Sequence, residues 1–272
     1  MIATLAPTAS GQWADGDTEV IRLPAGARAG AMRMNKRPTG VRVRHALRPA
    51  DLSDDLAGRI IDELGPDTAD QFERIIVGLV RTTVDDPYEG WATYYRNSLR
   101  RLADGSAAFA PVHARAAELQ AGDSLLDLGS CFGFYALRMA ARGLRVTATD
   151  VCPGTVRLLR TVAERLGTRI DAQVHDATHV DLPDNHSDTV TVLHLLEHLD
   201  PEAGAAVVRE AVRLARTRVV IAVPFEDQAT TCHRHVRTFD LDTLEQIGTQ
   251  TRLPHSIFEH HGGWLVLDLP PV

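Results

Sequence analysis

Six histidines and one glutamate stand where chemistry near neutral pH is available. His194-Leu195-Leu196-Glu197-His198 follows one strand-like run, His233 and His235 follow another, and His260-His261 precede a glycine pair in a turn. An imidazole ionises near neutrality, so it can take a proton from a hydroxyl, and beside a carboxylate it can also hold a metal ion. Two or more imidazoles favour zinc, manganese or iron over magnesium. The candidates for proton transfer are His194, His198, His235 and His261, and those for a metal are His194, Glu197, His198 and His233. A metal-free base and a metal site both stand as readings.

A second stretch points to a ligand. Leu125-Leu126-Asp127-Leu128-Gly129-Ser130-Cys131-Phe132-Gly133-Phe134 reads as a buried strand that ends in an acid, breaks into a glycine turn and starts a helix. Such a unit aims backbone N–H groups and a positive helix end at a nucleotide-like ligand. The spacing is D-x-G-x-x-x-G, not the G-x-G-x-x-G of a dinucleotide site. Two more acids, Asp150 and Asp176, follow the next two strand-like runs. An acid in the position of Asp150 can accept hydrogen bonds from both hydroxyls of a ribose.

The elements that must position these residues alternate as in a doubly wound sheet. Strands are predicted at 124–128, 144–149, 170–174, 188–193 and 217–223, helices at 133–142, 153–166, 201–216 and 240–250, and a closing strand pair around His260-His261-Gly262-Gly263. Upstream, residues 51–64, 68–84 and 88–102 show helical periods punctuated by Pro66 and Pro87. The last of these carries Tyr88, Trp91, Tyr94 and Tyr95, a face that could stack on a sugar or else pack in a core. Residues 1–48 are expected to be a flexible segment with two strand-like pieces, at 19–23 and 41–44. Their basic residues Arg33, Lys36, Arg37, Arg42, Arg44 and Arg48 read as a solvated tail or as a contact for an anionic partner. The expected domains are thus 1–48, a helical cap at 49–106 and a catalytic domain at 107–272.

Composition narrows the function. The 272 residues carry a net charge of −7 and are 44% apolar, which fits a globular α/β protein and lacks the basic field of a nucleic-acid enzyme. Cys131, Cys152 and Cys232 form no C-x-x-C pair, and their odd number argues for a reducing compartment. No signal segment and no membrane-length apolar run is present, so a cytoplasmic location is expected.

The D-x-G-x-x-x-G turn, the acids at successive strand ends and the Glu197-His198 pair resemble the class I S-adenosylmethionine-dependent methyltransferases. That resemblance implies a Rossmann-like α/β fold: a seven-stranded sheet with a closing antiparallel hairpin, here preceded by an N-terminal helical cap. It also implies a cofactor site of Asp127, Gly129, Ser130, Gly133, Asp150, Asp176, Ala177 and His194. Asp127 would meet the cofactor's amino group and Asp176 the adenine amino group. His194-x-x-Glu197-His198 further resembles the Glu-x-x-Glu-His segment of metal-assisted methyltransferases. No Asn/Asp-Pro-Pro-aromatic motif follows the fourth strand, which points to an oxygen acceptor over a nucleobase amine.

Residues 50–269 are similar to a narrower family, the methyltransferases associated with the peptide-derived redox cofactor mycofactocin. The segments that carry this are 83–87, 93–97, 129–134, 194–199, 223–227 and 260–264. The resemblance implies O-methylation of a glucose hydroxyl, the 2-hydroxyl, on a short glucan chain, with Trp91, Tyr94, Tyr95 and His260 against the glycosylated acceptor. Another natural-product or quinone-precursor hydroxyl, a carboxyl or amine acceptor, and a non-enzymatic binding module are the competing readings. They differ in how much base chemistry they demand of the histidines.

Overall fold

The computed structural model describes residues 11–24, 26–65, 69–229 and 234–270. They form two compact units, one reaching to Ala108 and the other starting at Phe109. His233 and Cys232, named above, lie outside the described residues.

The first unit overturns the expectation of a flexible start. Residues 12–45 build a four-stranded sheet of β1 (Gln12–Asp15), β2 (Thr18–Arg22), β3 (Met32–Arg37) and β4 (Gly40–His45), in the order β1-β2-β4-β3. The two strand-like pieces read from the sequence are β2 and β4. Trp13, Val20, Val41, Val43 and Met32 alternate onto one buried face, whereas charged residues take the other, so each strand carries too few apolar residues to announce itself. Gly40 must be glycine: at φ +118° a Cβ there would stand 1.9 Å from the Asp17 carbonyl oxygen, which accepts the Val41 N–H.

Three helices complete this unit: α1 (Leu56–Leu64), α2 (Ala69–Thr83) and α3 (Pro87–Ala103). Helix α2 lies on the buried face of the sheet, with Gly78 set so close that a Cβ would meet Val20 at 2.4 Å and Trp13 at 2.7 Å. The Thr82 hydroxyl lies 2.7 Å from buried His45 Nε2. Asp86 caps α3 by accepting the Glu89 N–H, with Pro87 in the first turn.

The aromatic residues of α3 are placed differently from a sugar-stacking face. Trp91, Tyr94 and Tyr95 are all buried; Trp91 meets Tyr94 edge to face at 5.5 Å, and the Tyr94 hydroxyl donates to Asp54. Tyr88 alone of this group is exposed. At helical spacing a ring is drawn to the interior because its burial contributes several kcal/mol, about 3–5 when lost from a core. Asn97 in the same helix donates to the carbonyls of Pro49 and Leu52, tying down the chain between sheet and helices.

The second unit begins with α4 (Ala110–Glu118), then β5 (Ser124–Leu128), α5 (Phe134–Ala141), β6 (Arg145–Asp150), α6 (Pro153–Leu166), β7 (Asp171–Val174), β8 (Ser187–Leu193), α7 (Pro201–Leu214), β9 (Ala215–Val223), α8 (Leu241–Thr251), β10 (His255–Glu259) and β11 (Gly263–Asp268). The sheet order is β10-β11-β9-β8-β5-β6-β7, with β10 and β11 antiparallel and the rest parallel. The expected seven-stranded sheet with its closing hairpin is therefore present. Leu126, Leu128, Val190, Val192, Val219 and Ile221 are fully buried in the central strands, as a sheet covered on both faces requires. Helix α4 is an element the sequence reading lacks.

Candidate active site

Every candidate in the second unit is set by the carboxyl ends of the parallel strands, where a ligand site forms in this kind of sheet. At the end of β5, Asp127 is buried and accepts a 2.6 Å hydrogen bond from the Thr191 hydroxyl of neighbouring β8. Burial pushes its carboxyl up to about 7 against the pull of that bond, and the Asp150 charge adds to the rise. An acid held near neutrality binds a cationic amine well, because the amine restores the charge form that burial opposes.

The turn after Asp127 is shaped by glycine at both ends. Gly129 and Gly133 adopt φ of +69° and +71°, and a Cβ at either would fall 2.8 Å from Leu195 or 2.5 Å from Leu159. Ser130 N–H donates to the Thr149 carbonyl, which binds the turn to β6. Asp150 at the end of β6 accepts the Cys131 N–H at 3.0 Å and the Cys152 N–H at 2.8 Å, one on each carboxylate oxygen. Each oxygen keeps a further lone pair for a hydroxyl donor. Asp176 accepts the N–H and hydroxyl of Thr178 on Oδ1, so it closes its own loop, and these bonds hold its carboxyl below the usual range. Ala177 packs against the core beneath that loop.

Two apolar residues in this region escaped the sequence reading. Val151 and Val174 are exposed at neighbouring strand ends, Val174 being in register with Asp150. Two uncovered valines beside Asp150 are the kind of surface a flat heterocycle covers. Nothing in their residue type marks them, since isolated valines at strand ends are ordinary.

Helix α4 adds a second missed group. Its His113 ring faces Tyr135 of α5 at 5.4 Å, and Phe109, just ahead of α4, lies 4.8 Å from His194. His113 Nδ1, the Tyr135 hydroxyl and His194 Nε2 are buried polar atoms without a hydrogen-bond partner among the described residues. Burial, aided by the charges of Arg138 and His194, drives the His113 imidazole down to about 3. Burial and the Asp127 charge raise the Tyr135 phenol. Unmatched buried groups around a carboxylate mark a place that a polar ligand or water completes. Pro111 in the first turn and the small apolar Ala110 and Ala116 were the available signals for α4.

The imidazoles gather at the next strand ends. His194 turns the chain out of β8 in the left-handed region, φ +52°, with its N–H bonded to the Ala222 carbonyl of β9. Its Nδ1 lies 3.1 Å from Glu197 Oε1. A single 3-10 turn, Leu196–His198, then buries Glu197 completely and leaves His198 exposed. The segment after β9 returns beside it: Val236 N–H donates to the Glu197 carbonyl at 2.8 Å and Arg237 Nε to that of Leu196 at 3.0 Å. This brings the His235 and His198 rings to 4.9 Å, with His235 Nδ1 bonded to Glu226 at 2.8 Å. Partial loss of hydration lowers the His198 imidazole below its ordinary value, with the Glu197 charge opposing and the His235 charge adding to the fall. His260 and His261 form another pair, at 4.9 Å, in the turn between β10 and β11. That turn meets the end of β9 through Gly262, where a Cβ would stand 2.4 Å from the Val223 carbonyl oxygen.

Residues 126–223 match the methyltransferase domain family. A ubiquinone biosynthesis O-methyltransferase of Xanthomonas euvesicatoria is 35% identical over 85 residues, covering 30% of this chain and 36% of that protein. The corresponding enzyme of Idiomarina loihiensis is 36% identical over 84 residues, covering 30% and 35%. The chain thus spans about a third of the length of the curated relatives it matches. Among solved structures, the PH0226 protein of Pyrococcus horikoshii superposes with a TM-score of 0.50 at 14% identity, over 60% of this chain and 89% of that one. The second unit thus has a Rossmann-like α/β fold, and its residues 126–223 are similar to a methyltransferase domain. No helix among the described residues is long and apolar enough to cross a membrane.

Proposed function

We propose that the protein is an S-adenosylmethionine-dependent O-methyltransferase acting on a sugar hydroxyl, the 2-hydroxyl of a glucose in the mycofactocin glucan chain. The convergence of Asp127, the Gly129–Gly133 turn and Asp150 on one sheet edge, ringed by the unmatched polar atoms of His113, Tyr135 and His194, carries this reading. Asp127 receives the cofactor's amino group and Asp150 its ribose hydroxyls. Val151, Val174 and the Asp176-Ala177 loop flank the adenine. The Tyr135 hydroxyl is a donor for the cofactor's carboxylate, and neutral His113 is a donor or acceptor beside it. These donors and acids match the polarity of the group they would hold.

The bound cofactor supplies a methyl group on a sulfonium, ready for in-line displacement. What the chain contributes is alignment of the acceptor oxygen and exclusion of water. An aliphatic hydroxyl must also lose its proton, and the imidazoles of His194, His198 and His235 beside Glu197 are placed to manage that loss. The named O-methyltransferase activity of the curated relatives supports an oxygen acceptor. The six segments that resemble the mycofactocin-associated family support the sugar. With Trp91, Tyr94 and Tyr95 buried, His260 and His261 are the candidates from the closing hairpin for contact with that sugar. The exposed thiols of Cys131 and Cys152 are in keeping with a reducing, cytoplasmic setting.

The deciding experiment is incubation of the purified protein with methyl-labelled cofactor and glycosylated mycofactocin, followed by mass spectrometry. One added methyl group on a hexose is the expected result. The curated relatives favour a second reading, a phenolic hydroxyl on a quinone precursor. A phenol ionises near pH 10, far more readily than an alcohol, and so depends less on a base. Methylation of a catechol with the glycosylated substrate untouched would select it.

A further inference from the structure

Asp150 is held from both sides by the backbone of a cysteine. Its Oδ2 accepts the Cys131 N–H at 3.0 Å and its Oδ1 the Cys152 N–H at 2.8 Å, so a single carboxylate spans the distance between the two residues. The sheet sets them level as well. Leu128 and Thr149 are cross-strand partners in parallel β5 and β6, and each cysteine lies three residues beyond one of them. The Ser130 N–H, bonded to the Thr149 carbonyl, ties the two segments together just before they part. Both cysteines are exposed.

Their residue types stand out against their backbone positions. In the turn after β5, residues 129, 131 and 133 all adopt left-handed φ, of +69°, +49° and +71°, and only the middle one carries a side chain. Glycine there would relieve the crowding of a Cβ. Cys152 stands directly ahead of the first turn of α6, a position that favours Ser, Thr, Asp or Asn. Against burial and the Asp150 charge, the Thr155 hydroxyl and the Thr155 and Gly154 amides hold its thiol below the ordinary range. An accessible, acidified thiol next to a second cysteine is the arrangement of an oxidation-sensitive pair.

We propose that Cys131 and Cys152 form a modification site for peroxides, joined on oxidation by a disulfide that closes over Asp150. The Cys152 thiolate attacks one peroxide oxygen; an S–O bond forms, the O–O bond breaks and hydroxide leaves. The Cys131 sulfur then attacks the Cys152 sulfur: an S–S bond forms, the S–O bond breaks, and the departing hydroxide takes the Cys131 proton as water. Two thiols are oxidised and one peroxide is reduced to two waters. The bridge requires Cα atoms within about 4.4–6.8 Å. Gly129 and Gly133, on either side of Cys131, give the turn the freedom to meet that requirement. Drawn together, the two residues cover the carboxylate that their amides already flank. This last consequence rests on the cofactor reading, in which Asp150 receives the ribose hydroxyls.

The cross-link is read without cofactor or turnover, so its failure is separate from failure of that reading. The full-length protein is reduced, desalted, exposed to a small excess of hydrogen peroxide, alkylated and cleaved after arginine, which places Cys131, Cys152 and Cys232 on three different peptides. Mass spectrometry should find peptide 116–138 joined to peptide 146–157, the link disappearing on reduction. Calorimetry should show S-adenosylmethionine binding weakened about tenfold or more in the oxidised protein, as expected for losing hydrogen bonds to a carboxylate, and recovered by a thiol reductant. Cys131→Gly and Cys152→Ser should each form no link and bind the cofactor equally before and after peroxide. Cys131 and Cys152 recovered as separate sulfenic or sulfinic acids, or joined only to Cys232, would overturn the site. A complete link with unchanged cofactor affinity would overturn its closure over Asp150.

Discussion

Asp127 shows how one buried group joins stability to binding. Its carboxyl is raised from about 3.8 to about 7 because β5 places it out of water, so between those values the folded chain holds a proton that the unfolded chain has released. Stability attributable to this residue is greatest below pH 4, falls as pH rises toward 7 and stays reduced above it. Asp127→Asn removes the charge and keeps an oxygen for the Thr191 hydroxyl. The variant should be more stable than wild type at pH 8 by about 1–3 kcal/mol, with the gain gone near pH 4. It should also bind S-adenosylmethionine at least tenfold more weakly, since a carboxylate–ammonium contact is worth more than a neutral one. Chemical denaturation across that pH range and calorimetry at pH 8 read the two effects separately. Asp150→Ala behaves differently: it should weaken cofactor binding about tenfold or more and also lower the melting temperature, because the Cys131 and Cys152 amides lose their acceptor.

At the scale of elements, legibility followed the strength of the local pattern. Strand β5 and the Gly129–Gly133 turn were readable because an unbroken apolar run, an acid and two glycines coincide within ten residues. The β10–β11 hairpin was readable from its glycine pair. Helix α4 was not, since Ala110 and Ala116 give little amphipathic contrast, and with it went His113. The N-terminal strands were short and half charged, and their partner is a helix more than twenty residues downstream, a relation no local window contains. Trp91 was readable either as a stacking face or as core, and its burial bears out the second: periodicity sets which residues share a face, not what that face meets. Its burial against Tyr94 yields a prediction at this scale. Trp91→Ala should lower the unfolding free energy by about 3–5 kcal/mol, measured by urea denaturation. A variant of near wild-type stability with impaired acceptor KM would instead return this ring to the substrate.

At the scale of the whole molecule, the division at Ala108–Phe109 separates two kinds of work. Every residue proposed for the cofactor, from His113 to His194, lies in the second unit, whereas the first consists of helices α1, α2 and α3 and a sheet whose outer face carries Arg33, Arg42 and Arg44. A ligand stabilises what it touches, by RT ln(1 + [L]/Kd), which is about 2.7 kcal/mol at a hundredfold excess over Kd. Saturating S-adenosylmethionine should therefore slow amide exchange in β5, β6 and β8 of the second unit and leave the amides of Val20 and Val43 in the first unit unchanged. Hydrogen exchange read by mass spectrometry on the full chain resolves the two sets of peptides in one experiment. Equal protection of both sets would mean that the units unfold as one or that the first unit takes part in holding the cofactor. Protection confined to the second would make it the complete cofactor-binding body, with the N-terminal sheet and helices free to serve another step of the reaction.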